Sequence, residues 1–455
     1  MSSNNNNKNA DNPKLTVLFA PSPGMGHIGA CHGLADILSR IGGHRSVFAL
    51  DIRFKGRLAK HGYEEAILQS IGPEPYSSTE EDLMQQFFDE YGDRLLNMTA
   101  VDVLRAIGPV FMKMFDDCKR LESNYRSVVA SVRPDLIVCD THIGSPAFMN
   151  AGRPWILLNS MSPLELYNAC NAPDVLPPAW SGYSCSDQNK DKWLDFRQQL
   201  EPLFADFHQT VDDWYYRQTG QHIADSGLQP MSRLLNIYMT PDELDFKHIA
   251  GVKPLDTDNW MRVDGFVRTT NESVELPDWL LARPGKLILL SLGSLVSGNL
   301  GLMRFVTETL GKSPHKFIVS TGKHHDKYTL PENMWGQPFL PQTAIWPLVD
   351  CVVTHGGNNS TTEAFYFGKP VLLIPAFADQ FDNAQRVVDT GLGYRLDRPV
   401  SSQSLLDSVH RLATDTELSV RMKQIGERIR QSFDANSRAI VERIEHIVAD
   451  YELKK

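Results

Sequence analysis

The chain has 455 residues, too many for one compact core, so two domains are expected. Hydrophobic residues at 42% and charged residues at 22% describe an ordinary globular protein. A formal net charge of -10 excludes a nucleic-acid binder, whose affinity would rest on basic clusters. In such an acidic chain, any phosphate must be held by local amides and a few side chains. The six cysteines, at 31, 118, 139, 170, 185 and 351, show no CxxC spacing, so free thiols and no zinc site are expected.

Residues 1–13 are polar and Asn-rich, and read as a disordered tail without an apolar signal region. Leu15 to Ala20 is a short apolar strand feeding Pro21-Ser22-Pro23-Gly24-Met25-Gly26-His27-Ile28-Gly29. A helix with Leu34, Ile37 and Leu38 on one face follows, then a strand from Arg45 to Leu50 that ends at Asp51. Gly24 to Gly29 spells G-x-G-x-x-G with an acid about twenty residues on, a dinucleotide fingerprint whose consequence would be an NAD-dependent oxidoreductase. Tyr63 to Arg133 reads as helical, with Phe87, Phe88, Val103, Phe111 and Phe115 on recurring faces. Leu136 to Cys139 is a strand ending at Asp140, where an acid can cap the next helix; the loop after it contains His142. Trp155 to Leu158 and Leu234 to Met239 are further strands. Between them, Asn159 to Gly220 reads as irregular and aromatic, including Tyr167, Trp180, Trp193 and Phe204, and suits the walls of an apolar ligand site. Asp256-Thr257-Asp258 is a literal D-x-D, but it sits in polar loop text and reads as a solvated turn, not a metal mark.

Val267 to Gly285 is polar and Pro-containing, the expected domain boundary. Beyond it come a strand from Leu287 to Leu292, the turn Gly293-Ser294, a helix with Leu302, Phe305, Val306 and Leu310, and a strand from Phe317 to Ser320. Cys351 to Thr354 is β-branched and apolar without alternation, a buried parallel strand. It runs into His355-Gly356-Gly357-Asn358-Asn359-Ser360 at the start of a helix. Free backbone N–H groups and the helix dipole there suit a phosphate. Glu363 follows on the first turns, where a carboxylate can accept hydrogen bonds from sugar hydroxyls. Val371 to Ile374 is the next strand, and Pro375 to Gln380 leaves its carboxyl end, the ligand side of an open α/β sheet. Near the end, Met422, Ile425, Ile429 and Phe433, then Val441, Ile444 and Val448, recur at helical spacing.

The stretch from Phe339 to Gln380 closely resembles the donor-binding signature of the UDP-glycosyltransferases. It supplies Phe339, Pro341-Gln342, Thr354-His355, Gly357, Asn359-Ser360, Glu363 and Asp379-Gln380 in the family's order and spacing. Phe339 stands where most relatives have Trp. The resemblance implies an α/β protein of the GT-B fold, two Rossmann-like domains with parallel sheets facing a central cleft. Its expected parts are an acceptor-binding domain over 14–267, a linker over 268–285, a UDP-sugar domain over 286–435, and a last helix over 436–455 returning to the first domain.

The same resemblance places a catalytic His at His27, although the Pro usual soon after it is missing, and an Asp beside it at Asp140. An acceptor hydroxyl needs a general base at neutral pH; His27 would be that base, with His142 the next candidate, and Asp140 would orient it and stabilise its protonated form. On the donor side, Phe339 would stack on uracil, Gln342 support the base or ribose, and Glu363 hold the ribose. His355, the backbone around Gly357 and Asn358, with Asn359, Ser360 and Ser294, would stabilise the leaving phosphate. Asp379 and Gln380 would hold the sugar. The expected reaction is inverting and metal-independent transfer of a hexose, foremost glucose from UDP-glucose, to small lipophilic acceptors. No cofactor, no metal, no nucleic acid and no membrane anchor are expected, and the cytoplasm is the expected location. Besides the oxidoreductase, a noncatalytic nucleotide-sugar binder remains as an alternative; the presence of both His27 and Asp140 weighs against it.

Overall fold

The computed structural model describes residues 14–68, 83–223, 230–255, 258–268, 272–396 and 398–454. The expected tail over 1–13 lies outside them, as do Asp256 and Thr257 of the D-x-D. Strands β1 (Thr16–Pro21), β2 (Arg45–Asp51), β3 (Glu64–Leu68), β4 (Leu136–Asp140), β5 (Trp155–Asn159), β6 (Asn236–Met239) and β7 (Trp260–Val263) form one sheet. Its order is β3-β2-β1-β4-β5-β6-β7, and its pairs are parallel. Strands β8 (Leu287–Ser291), β9 (Lys316–Ser320), β10 (Met334–Gln337), β11 (Cys351–Thr354), β12 (Val371–Leu373) and β13 (Tyr394–Arg395) form the second, ordered β10-β9-β8-β11-β12-β13 and likewise parallel. Central strands β4, β8 and β11 are buried along their whole length, which is why their sequences are apolar runs and not alternations.

In each sheet the strand order reverses once, between β1 and β4 and between β8 and β11. Those switch points open a crevice at the carboxyl ends, the place where open α/β sheets bind ligands. The two domains share a core as well as a cleft. Phe88 meets Phe377 edge to face, with ring centroids 5.1 Å apart. The Thr416–Leu453 helix is continuous, so the expected boundary at 435/436 falls inside it. Its Leu418, Met422 and Ile429 pack into the core of the second sheet. Its Ile440, Val441, Ile444, Ile447 and Val448 pack into the core of the first. Gly426 lets that helix approach Gly368 at backbone distance, since a Cβ there would lie 2.6 Å from the Gly368 nitrogen.

Two readings of the sequence are corrected. The segment expected to be helical from Tyr63 opens with strand β3, whose register on β2 pairs Phe48 with Glu65. Its two acids are tied down locally: Glu64 binds Arg45, and Glu65 accepts from the amides of Gly56, Leu58 and Ala59. The segment from Asn159 to Gly220, expected to be irregular, contains the 29-residue helix Asp191–Thr219. Trp193, Phe196, Leu200, Phe207, Val211 and Tyr215 are its buried face, a helical repeat hidden by aromatic residues on its other sides. Among the described residues, no helix is long and apolar enough to cross a membrane, and all six cysteines are free.

Candidate active site

The loops after β1 and β4 are stitched together. The Ser22 amide donates to the Asp140 carbonyl (2.7 Å), and the His142 amide donates to Ser22 Oγ (3.0 Å). This brings His27, in the first turn of the Met25–Ile37 helix, against the end of β4. His27 Nδ1 lies 3.0 Å from Asp140 Oδ1 and 3.0 Å from Ser160 Oγ. Its Nε2 lies 2.9 Å from His142 Nε2. Asp140 Oδ2 is buried without a hydrogen-bond partner, so the carboxylate leans on His27. Burial alone would lower the His27 pKa, but the charge and hydrogen bond of Asp140, with the charge of Asp379, raise it above its ordinary 6.5. His142 is pushed down to about 3 by burial and by His27, and is neutral.

This geometry takes away both features of a dinucleotide site. Cβ atoms at Gly26 and Gly29 would face Asn359 Nδ2 at 3.8 and 3.7 Å, and that amide donates to the Gly26 carbonyl. The glycine turn is thus packed on the opposite domain. Asp51, the acid of the fingerprint, is taken by Arg53, which reaches it through its amide (2.9 Å) and its guanidinium (2.8 Å).

Across the cleft, β8 and β11 are neighbours with Ser291 opposite Thr354. The loops after them hold His355 between two glycines. A Cβ at Gly293 would sit 2.6 Å from His355 Cε1, and one at Gly357 would sit 2.5 Å from its Nε2. Burial lowers the His355 pKa to about 4, against a backbone hydrogen bond at Ser291, so the ring is neutral. The ten-residue Asn358–Phe367 helix starts beside it, and its N-cap Gly357 supplies no side-chain cap. The amides of Asn358, Asn359 and Ser360 are left for an anion. Ser294, in the short Gly293–Val296 helix, stands exposed after β8.

Several assigned side chains also close the cleft. Asn358 Nδ2 donates to the carbonyls of Ser160 (3.1 Å), Met161 (3.1 Å) and Met239 (2.9 Å). Only its backbone is therefore available to a phosphate. Asp379 Oδ2 accepts from the Ser162 amide (3.0 Å) and from Asn383 Nδ2 (3.3 Å). The residue before it, Ala378, has a φ of 50°, a left-handed turn uncommon outside glycine. Burial raises the Asp379 pKa to about 6. Gln380 Oε1 accepts from the Ala376 amide (3.0 Å), which leaves its NH2 as the donating end. Gln342 Nε2 donates to Ser291 Oγ (2.6 Å). Phe339 is 65% exposed with the Arg57 guanidinium 5.5 Å from its ring centre.

Glu363 is only 5% exposed. Its Oε2 accepts from Trp346 Nε1 (3.2 Å) and its Oε1 from Arg268 (3.4 Å). One lone pair of each oxygen remains for a ribose. Glu363→Ala should weaken UDP binding by about 1–3 kcal/mol, the scale of hydrogen bonds to a charged group. It should also lower the melting temperature, because it strands Trp346 Nε1. Unchanged UDP affinity by calorimetry, with the melting temperature lowered, would leave Glu363 as a structural residue alone.

Sequence reasoning gave no role to Ser160, Arg268, Trp346, Arg57 and Asp382, and held His142 as the next candidate base after His27. Asp382 accepts from the amides of Trp180 (2.7 Å) and Gly182 (3.3 Å), fastening the aromatic segment to the Gln380–Asp389 helix. Trp180 then meets Phe111 at a tilt and Phe204 edge to face, with ring centroids 6.0 and 5.9 Å apart, forming an apolar wall. Only the Asp at 382, close behind Asp379-Gln380, offered a signal.

Residues 283–424 match the profile of the family described as UDP-glucoronosyl and UDP-glucosyl transferase. The uncharacterized UDP-glucosyltransferase YojK of Bacillus subtilis (strain 168) is 29% identical over 147 residues, 31% of this chain and 36% of that protein. A sterol 3-beta-glucosyltransferase of Emericella nidulans is 29% identical over 198 residues, 39% of this chain and 14% of that protein. The chain therefore spans well under half the length of these relatives. Among solved structures, the glycotransferase of kitacinnamycin is similar with a TM-score of 0.65 at 20% identity, covering 96% of this chain and 100% of that one. That likeness shows the fold, which is GT-B. The signature and the paired switch points agree with the match of residues 283–424 to the UDP-glucoronosyl and UDP-glucosyl transferases, and the fold of the chain is that of the GT-B glycosyltransferases.

Proposed function

We propose that the protein transfers a hexose, foremost glucose from UDP-glucose, to a hydroxyl of small lipophilic acceptors such as phenolics, flavonoids or xenobiotics, in the cytoplasm. The observation that carries this reading is the meeting of two half-sites. A base with its carboxylate, His27 and Asp140, stands at the switch point of one sheet. An uncapped helix start stands at that of the other, and Asn359 to Gly26 and Asp379 to Ser162 join them directly. The acceptor proton passes to the His27 side, and the freed oxygen attacks the anomeric carbon. The bond from that carbon to the β-phosphate oxygen breaks, and UDP leaves with the electron pair. New charge on the phosphate falls on the amides of Asn358 to Ser360 and on His355. Asp379 and Gln380 hold the hexose next to His27, and the Trp180 wall receives the apolar acceptor.

A mass-spectrometric screen of UDP-sugars against apolar alcohols tests this, with hexose adducts as the expected result and no adduct from any UDP-sugar as the refuting one. Because the leaving charge is met by amides and a neutral imidazole, transfer should persist at full rate in chelator. Complete loss in chelator, restored by magnesium or manganese, would contradict that.

A further inference from the structure

Three successive residues after β5, Ser160, Met161 and Ser162, take part in both halves of the cleft. Ser160 is buried, at 6% exposure, and its Oγ lies 3.0 Å from His27 Nδ1. The same nitrogen faces Asp140 Oδ1 at 3.0 Å. A lone pair there would meet a negative oxygen, so Nδ1 carries the proton and shares it between Asp140 and Ser160. The base is thus aimed by acceptors at the ends of two strands, β4 and β5. The backbone around Ser160 is bound by the other domain. Asn358 Nδ2 donates to the carbonyls of Ser160 and Met161, both at 3.1 Å, and the Ser162 amide donates to Asp379 Oδ2 at 3.0 Å. Inside its own domain, Asn159 Nδ2 meets the Met161 carbonyl at 3.1 Å, while the Ser160 carbonyl is held from across the cleft. Asn358 opens the helix whose free amides suit a phosphate, and Asp379 is assigned to the hexose. One short segment therefore touches the base, the phosphate turn and the sugar carboxylate.

We infer that Ser160 is a positioning residue that makes the aim of His27 depend on the docking of the second domain. The inference rests on the proposed transfer reaction and adds a control to it. Asn358 divides its two ends between two tasks: its side chain grips the Ser160 and Met161 carbonyls, and its backbone amide is free for the phosphate. With Asn358 seated, the Ser160 backbone is fixed and its Oγ holds the imidazole at Nδ1 beside Asp140. With the domains apart, Ser160 loses that support and the ring keeps Asp140 alone. The base is consequently aimed in the closed cleft, where the donor phosphate and the hexose already lie against Asn358 and Asp379. Closure that completes a catalytic arrangement in this way also keeps water from taking the place of the acceptor. The chemistry itself is unchanged: His27 accepts the proton and Asp140 stabilises the charge.

The test is a double-mutant cycle of Ser160→Ala and Asn358→Ala, with Ser160→Thr as the conservative variant, read by transfer kinetics, UDP calorimetry and melting temperature. Ser160→Ala should lower kcat by about tenfold to a hundredfold, the cost of a misaimed reacting group. UDP affinity and the acceptor KM should stay near wild type, because the buried Ser160 meets the ring and not the ligands. Ser160→Thr, which keeps the hydroxyl, should regain most of the rate. Asn358→Ala removes the grip on the carbonyls and keeps the backbone amide, so it should also lower kcat. In the Ser160→Ala background it should cost little more, since both changes break one path. A kcat of Ser160→Ala within about threefold of wild type would overturn the inference, and so would losses that simply multiply in the double variant. A Ser160→Thr protein as slow as Ser160→Ala would assign the loss to packing and overturn it as well. A wild-type protein that transfers no sugar refutes the proposed function and this inference with it; active wild type beside equally active Ser160→Ala refutes the inference alone.

Discussion

His27→Ala should cut kcat by about two to four orders of magnitude while leaving UDP affinity intact, the span attributed to a positioned general base. The proton has nowhere else to rest: Asp140 can stabilise a charged imidazole but lies behind it, and His142, pushed down to about 3, cannot hold a charge of its own. The substitution has a structural cost too. It leaves the buried Asp140 carboxylate without its partner at Oδ1 as well as at Oδ2, about 1–3 kcal/mol. Turnover must therefore be read well below the melting temperature of the variant. The pH profile separates chemistry from stability. A base must be unprotonated to act, and Asp140 raises the pKa of His27. The acid limb of kcat should therefore lie above the ordinary histidine value. In Asp140→Asn the raising charge is gone, so that limb should move to lower pH and the maximum rate should fall by less than in His27→Ala. An acid limb that stays in place would detach Asp140 from the base.

Gly293→Ala should weaken donor binding. Gly293 has φ of 77°, a left-handed conformation that costs a residue with a Cβ about 1–2 kcal/mol. The methyl group would also enter the His355 ring at 2.6 Å, and overpacking of this kind costs about 1–3 kcal/mol. The ring cannot retreat the other way, because Gly357 closes that side. Together these predict a stability loss of about 2–5 kcal/mol and a loss of UDP affinity of about tenfold or more. Thermal melting and UDP calorimetry read the two separately. UDP affinity unchanged in a folded variant would show that His355 does not face the phosphate.

Much of the site was legible because its parts are local. The strand–glycine turn–helix unit from Cys351 to Phe367 announces itself by apolar run, small residues and helix start, and the structure places all three where the text does. The central strands were legible for the same reason. The edge strands β3, β7, β10 and β13 were not, since short, half-exposed strands carry polar residues and little periodicity. The helix Asp191–Thr219 was missed because its buried aromatics sit among exposed ones. The largest gap concerns contacts between distant segments. Nothing in a linear reading places His142 on His27, Asn358 on the carbonyls of Ser160, Met161 and Met239, or Arg268 on Glu363. These pairings arise only when two sheets bring their switch points together. The G-x-G-x-x-G run shows the converse: a complete local pattern whose glycines serve domain packing instead.

One measurement bears most directly on the cleft as a single active site: the mass and anomeric configuration of the product formed from UDP-glucose and an acceptor found in the screen. With the base on one sheet and the leaving phosphate on the other, the oxygen attacks from the side opposite UDP in one displacement. The account predicts an adduct of one hexose in β linkage, formed by wild type and lost in His27→Ala. An α-linked product, or an adduct that His27→Ala still forms at the wild-type rate, would contradict it.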